Sequence, residues 1–321
     1  STVGTTYNLA AADDWDTNVT SGDTSDASGN GITASNVAVP AITSATYNAS
    51  TGVLVVTGTG LLKNSGAAND IDVSKFTFTG EGGATYTLTD STDVEITSGT
   101  AFTVTLSSTD KAAVNQIVNK DGAASTDATT YNLAAAEDWA AGANASVNVV
   151  DATGNGITTS NVAVPVITSA AYNTSTGALV VTGTGFLKAS GAANDIDASK
   201  FTFTGEGGGT YTLTDSADVE ITSGTTFTLT LSSTDKAAVN LLLNKTGTAS
   251  DDATTYNLAA AEDWAAGADA AVTIADTSGN GITVSTTSSS GGGGGGGGSG
   301  SSGTTTTIDG ATVTTATQPD G

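Results

Sequence analysis

The chain has 321 residues, 41 of them Gly, and carries a formal net charge of −24 from 32 Asp and Glu set against eight basic residues, with no His, Cys or Met. Without an imidazole or a thiol it lacks the usual general base, the thiolate nucleophile and the common zinc ligands, which removes most familiar enzyme mechanisms. The negative charge repels phosphate and anionic lipid, so neither nucleic acid nor a membrane surface is an expected partner, whereas abundant carboxylates suit solubility and divalent cations.

No apolar run reaches the roughly 18 residues that span a bilayer. The chain opens on Ser1 without a signal-peptide pattern and reads as a mature or excised product. Its Gly, Ser and Thr richness fits an exported bacterial protein, and repeats of the size found here can bury a core without disulfides.

One signal organises everything else. SNVAVPAITSATYN from Ser35 returns as SNVAVPVITSAAYN from Ser160, a period of 160 − 35 = 125 residues. Two complete repeats follow, at 35–159 and 160–284, and residues 1–34 match the last third of a repeat, with Trp15 standing where Trp139 and Trp264 stand later. Such a third cannot close a fold alone, because a few strands bury too little apolar surface. Either the chain was cut from a longer array, or this segment is a donor that completes a fold on a neighbouring molecule.

Within the first repeat the predicted elements follow in order. Segments 52–60, 74–80, 84–90, 93–98 and 101–107 carry β-branched and aromatic residues alternating with Thr and bounded by Gly, Asn, Asp and Ser, which predicts strands. Phe76 and Phe78 share one face, as do Tyr86 and Leu88. Residues 107–120 break the period: Val114, Ile117 and Val118 at helical spacing behind a Ser/Thr cap, with Asp110 in the first turn, predict a short helix. TTYNL (129–133) and SVNVV (146–150) predict closing strands around a loop or helical turn, AAAEDWAAGA. Seven to nine short strands per repeat predict an all-β fold of tandem immunoglobulin-like β-sandwiches, each with one short helix. Residues 285–303 form a Gly/Ser linker, and 304–321 a Thr-rich tail in which Asp309-Gly310 marks a possible hairpin turn.

Carboxylates supply the candidate sites. Each repeat ends in a D-x-x-G-N-G element, offering Asp26 and Asn30, Asp151 and Asn155, and Asp276 and Asn280 as oxygen ligands for Ca²⁺ at the junctions; the same residues are ordinary turn formers. A second set, Asp70 and Asp72 with Asp195 and Asp197, precedes the SKFTFTG strand of each repeat; neither set has the spacing of an EF-hand or an RTX nonapeptide. Asp90, Asp93 and Glu95 sit on a turn without the aromatic platform a glycosidase pair would need. Lys75 and Lys200 are strand-end lysines, with isopeptide crosslinking as the sharper alternative. The Trp of each DW pair is expected to plug the end of its fold.

The strands shaped like SKFTFTG and TFTLTLSS, closed by D-x-x-G-N-G, resemble the bacterial immunoglobulin-like and cadherin-like repeats of giant surface adhesins and of cyanobacterial motility-associated surface proteins. The resemblance covers roughly 34–284, and the helix at 107–120 and the AAAEDW insertion depart from it. It implies tandem sandwiches, a cell-surface location and a capacity for calcium binding, with no other cofactor, and it supplies no catalytic residue. The expected role is therefore structural: a fibre built by self-association, with an adhesin or S-layer-associated stalk as the alternative.

Overall fold

A computed structural model of the chain describes residues 6–19, 21–64, 70–189 and 195–286, together with the backbone of 304–308 and 311–315. Backbone contacts divide the chain into Ser1–Thr286 and Thr287–Gly321. The fold is mostly β.

The first repeat runs β1 (Ala41–Asn48), β2 (Val53–Thr59), β3 (Phe76–Thr79), β4 (Thr85–Thr87), β5 (Ala101–Thr105), α1 (Ser108–Ile117), β6 (Asn132–Ala135) and β7 (Ile157–Ser160). Its strands form a four-stranded sheet in the order β5-β2-β1-β7 and a three-stranded sheet in the order β4-β3-β6. The second repeat reproduces this with β8 (Val166–Asn173), β9 (Ala178–Thr184), β10 (Phe201–Thr204), β11 (Thr210–Thr212), β12 (Thr226–Thr230), α2 (Ser233–Leu242), β13 (Asn257–Ala260) and β14 (Ile282–Ser285), in sheets β12-β9-β8-β14 and β11-β10-β13.

Period-two alternation places the core. Leu54 and Val56 of β2 and Phe76 and Phe78 of β3 are fully buried, while the intervening Thr77 faces outward and pairs its hydroxyl with Thr87 at 2.7 Å. The two sheets meet through aromatic rings: Tyr47 of β1 lies edge-on to Phe78 at 5.6 Å, and Phe76 stacks on Phe102 of β5 at 5.9 Å. Each repeat has its own apolar core, the first from Ile42 to Ile157 and the second from Ile167 to Val284.

The predicted helix forms as α1. Ser107 caps it by accepting the Asp110 amide at 3.0 Å, and Val114 and Ile117 turn inward. Asp110 is itself buried and anchors the β4–β5 connection, its carboxylate accepting the amides of Thr89, Asp90 and Ser91 and the hydroxyls of Tyr86, Thr89 and Ser91. Burial opposes its ionisation, but these donors outweigh burial and hold the carboxyl well below the usual range. Asp235 repeats the arrangement in α2.

Two predicted strands do not form. Residues 93–98 contribute only a bridge between Val94 and Ile71. Residues 146–150 run as irregular chain because side chains take the polar groups a ladder would use: the Val149 amide donates to the Glu137 carboxylate at 3.1 Å, and its carbonyl accepts the Trp139 indole N–H at 2.6 Å. The closing strand is instead β7, in parallel register with β1, pairing Ala45 with Ile157 and Asn48 with Ser160. In the tail, Thr304–Ile308 (β15) and Ala311–Thr315 (β16) pair antiparallel; the Asp309-Gly310 turn and the Gly/Ser linker lie outside the described residues.

Candidate functional site

The D-x-x-G-N-G elements form a clasp inside each repeat. The Asn155 side-chain amide donates to the carbonyls of Leu133 (3.0 Å) and Asp151 (3.1 Å) and to the Asp151 carboxylate (2.9 Å), while its backbone amide donates to Asn132. The other Asp151 oxygen accepts the amide of Ile42 at 2.7 Å, tying the end of the repeat to its own first strand. Asp276, Asn280 and Ile167 do the same in the second repeat. The carboxylate of each Asp thus faces N–H donors, and Asn155 presents its amide nitrogen to Asp151. This donor-rich arrangement is a poor fit to a cation.

The second acidic set separates into two jobs. Asp70 and Asp195 are fully buried, and each holds two loop amides: Asp70 those of Asn64 and Ile96, Asp195 those of Ala189 and Ile221. Burial works against ionisation of Asp70, but the Asn64 and Ile96 amides prevail and keep its carboxyl below the usual range; beside it Glu95 is pushed up, by desolvation first and then by Asp70. Asp72 and Asp197 cap short turns by accepting the amides of Ser74 and Ser199. Among the described residues no three carboxylates converge on a cation-sized site. Asp93 accepts the Val73 amide at 2.8 Å, a structural contact.

Residues 6–19 and 21–32 build the same closing third. Asp26 and Ala11 exchange amide bonds at 2.9 and 2.8 Å, the Asn30 side chain reaches the Leu9 carbonyl at 3.0 Å, and the Trp15 indole reaches the Thr24 carbonyl at 2.7 Å, as in the complete repeats. Its apolar face is open. Leu9 and Trp15 are 64% and 63% exposed, where Leu133 and Trp139 are fully buried. Tyr7 and Ile32 show the same contrast with Tyr131 and Ile157.

Two of the positions at which the segment departs from its counterparts bear on packing. Asn18 occupies the place of Gly142, where a Cβ would lie 1.9 Å from the Leu62 carbonyl oxygen, and Thr24 occupies the place of buried Val149. A front of the kind found in this chain therefore accepts residues 6–32 poorly.

The repeats meet end to end through the C-terminal end of α1. Gln116 donates from its side chain to the Phe186 carbonyl at 2.9 Å, Asn119 to the Lys188 carbonyl at 3.0 Å, and Lys120 pairs with Asp269 at 3.6 Å. The linker is fastened too: Asp121 accepts the Val162 amide at 2.9 Å, and Asn161 turns the chain at φ 57°, as Asn36 does at φ 54° before the first repeat. Asn119 is 1% exposed as a result. Sequence reasoning missed this junction and the Asp110 anchor. The available signal was STDKAAVN recurring intact at 108–115 and 233–240 while the residues after it vary.

These two features, an intra-repeat clasp and a side-chain-specific junction, stand without outside reference: no protein-family description matches the chain, and a search of curated proteins gives no match.

Proposed function

We propose that the chain is a structural segment of an extracellular tandem array of immunoglobulin-like β-sandwiches, acting as a stiff element of a bacterial surface fibre. The observation that carries this reading is the junction. A flexible string of domains needs no side chain at its boundaries, whereas here Gln116, Asn119 and Lys120 engage Phe186, Lys188 and Asp269 across the boundary. Two further facts support it: the near-copied 125-residue period, and the absence of His and Cys, which leaves little for catalysis. Residues 6–32 belong to the same design as the closing third of a further repeat.

The test is small-angle scattering of the dilute, monomeric chain beside a Gln116→Ala/Asn119→Ala variant. A fixed inter-repeat distance in the wild type that broadens in the variant supports a stiff array; equal flexibility in both overturns it. A stalk carrying a binding domain is the second reading, favoured if electron micrographs show separate rods and no filaments. Joining of subunits by strand exchange through residues 1–34 is a further expectation of the array, opposed locally by Asn18 and Thr24.

A further inference from the structure

Each complete repeat leaves one strand edge open along its side. The four-stranded sheets end on β5 and β12. The Gly58 amide donates to the Thr100 carbonyl and the Leu106 amide to the Gly52 carbonyl, both at 2.9 Å, so the even-numbered residues of β5 turn toward β2. By the alternation of an antiparallel ladder, the N–H and C=O groups of Ala101, Thr103 and Thr105 turn away from it. No hydrogen bond takes these groups up among the described residues, and Thr103 and Thr105 are exposed. In β12, bonded to β9 through Thr225 and Leu231, the same outward groups belong to Thr226, Thr228 and Thr230.

The other edges are closed or short. Gly122 and Thr159 exchange amide bonds along β7, and Ala135 and Asp151 along β6, while β4 has only three residues; Gly247 with Val284, Ala260 with Asp276, and β11 repeat this. Natural edges are commonly guarded by Lys, Pro or a bulge, and β5 and β12 have none of these. No charged residue stands between Glu95 and Asp110, or between Glu220 and Asp235, in a chain of net charge −24.

We infer that β5 and β12 are pairing edges, at each of which a second copy of this chain adds the same strand in antiparallel register. The inference rests on the array reading for its role, which is to join arrays side by side. Charge favours a copy at this place: two such chains repel wherever their carboxylates meet, and along these strands neither brings one. Geometry favours it too. A two-fold axis at Thr228 sets Thr226 opposite Thr230 of the second copy, and every outward N–H then meets an outward C=O. An axis at Thr103 does the same for β5. Thr opposite Thr is a pairing the chain already uses, between Thr77 and Thr87 at 2.7 Å and between Thr202 and Thr212 at 2.8 Å. The contact is small and belongs to the weak class, and added salt strengthens it by screening the net charge.

Sedimentation velocity of the full chain at rising concentration and moderate salt tests the inference. The wild type is expected to associate reversibly in the submillimolar range. Thr103→Pro/Thr228→Pro removes one outward N–H from each edge and leaves the ladders to β2 and β9 their donors, so the fold persists, as circular dichroism melts should show. Each two-fold pair then loses two hydrogen bonds, and association should weaken at least about tenfold. Thr103→Lys/Thr228→Lys sets like charges opposite each other and should weaken it similarly. Thr46→Lys/Ala171→Lys adds the same charge at exposed positions on the inner strands β1 and β8 and should not weaken it. A wild type that stays monomeric overturns edge pairing, as does association that survives the prolines or falls equally with lysines on β1 and β8. Scattering of the dilute monomer judges the internal junction separately, so the array reading stands or falls on its own result.

Discussion

The Ile42 amide donates to the Asp151 carboxylate at 2.7 Å across 109 residues, and Ile167 donates to Asp276 at 2.9 Å across the same separation. One carboxylate thereby closes each repeat on itself, since the same Asp also holds its Asn partner. Replacing Asp151 with Ala leaves the Ile42 amide and the Asn155 side chain short of an acceptor, and should cost roughly 2 kcal/mol of stability. Denaturant melts of Asp151→Ala should show the first repeat unfolding earlier while the second is unaffected.

Because the clasp is filled by N–H donors, chelation should do little. The melting temperature in excess EDTA is expected to equal that in calcium. A rise of several degrees with calcium would return Asp151, Asn155 and their counterparts to the role of ligands.

Asp110 gives the pH dependence its sign on the acid side. Its folded carboxyl titrates below the unfolded value, so its stabilisation is present above about pH 4 and is lost as pH falls further toward the folded value. Asp110→Asn should flatten that acid limb and lower stability at neutral pH, read from melts at stepped pH.

On the alkaline side the tyrosines act oppositely. Burial pushes Tyr131 and Tyr172 up to about 12, so the neutral phenol is favoured in the folded chain and stability is lost as pH rises from about 10 through that value. Ultraviolet titration should show these phenols ionising late, together with loss of native structure; early, reversible ionisation would contradict their burial.

Trp15 reports on the leading segment. With Trp139 and Trp264 fully buried and Trp15 63% exposed, acrylamide should quench one readily accessible fraction of the fluorescence, and Trp15→Phe should remove that fraction. Protection of Trp15 in concentrated wild-type protein would mean that a second chain covers residues 6–32.

The pattern of apolar residues made the strands around Leu54, Phe76 and Phe102 and the capped helix at Ser107 legible, because period and caps are local signals. Residues 146–150 misled, since valines at alternate positions read as a strand until Glu137 and the Trp139 indole are known to claim the polar groups of Val149. The strand at 157–160 was hidden for the converse reason: ITTS is short, and its partner β1 lies more than a hundred residues away. The acidic residues stood out in the sequence, but their hydrogen-bond partners did not. Whether Asp151 faces a cation or an amide depends on Ile42, which no spacing rule connects to it.

The parallel pairing of β1 with β7 determines how a repeat carries load. The chain enters along β1 and leaves along β7, and the two strands lie side by side pointing the same way. Tension applied across the two ends of a repeat would pull them in opposite directions along their length, so the hydrogen bonds between them would be sheared together instead of being peeled one after another. The Ile42–Asp151 bond lies beside the same seam, with the amide on β1 and the carboxylate on the segment leading into β7. Each repeat would therefore meet an extensional force with its first and last strands paired in parallel.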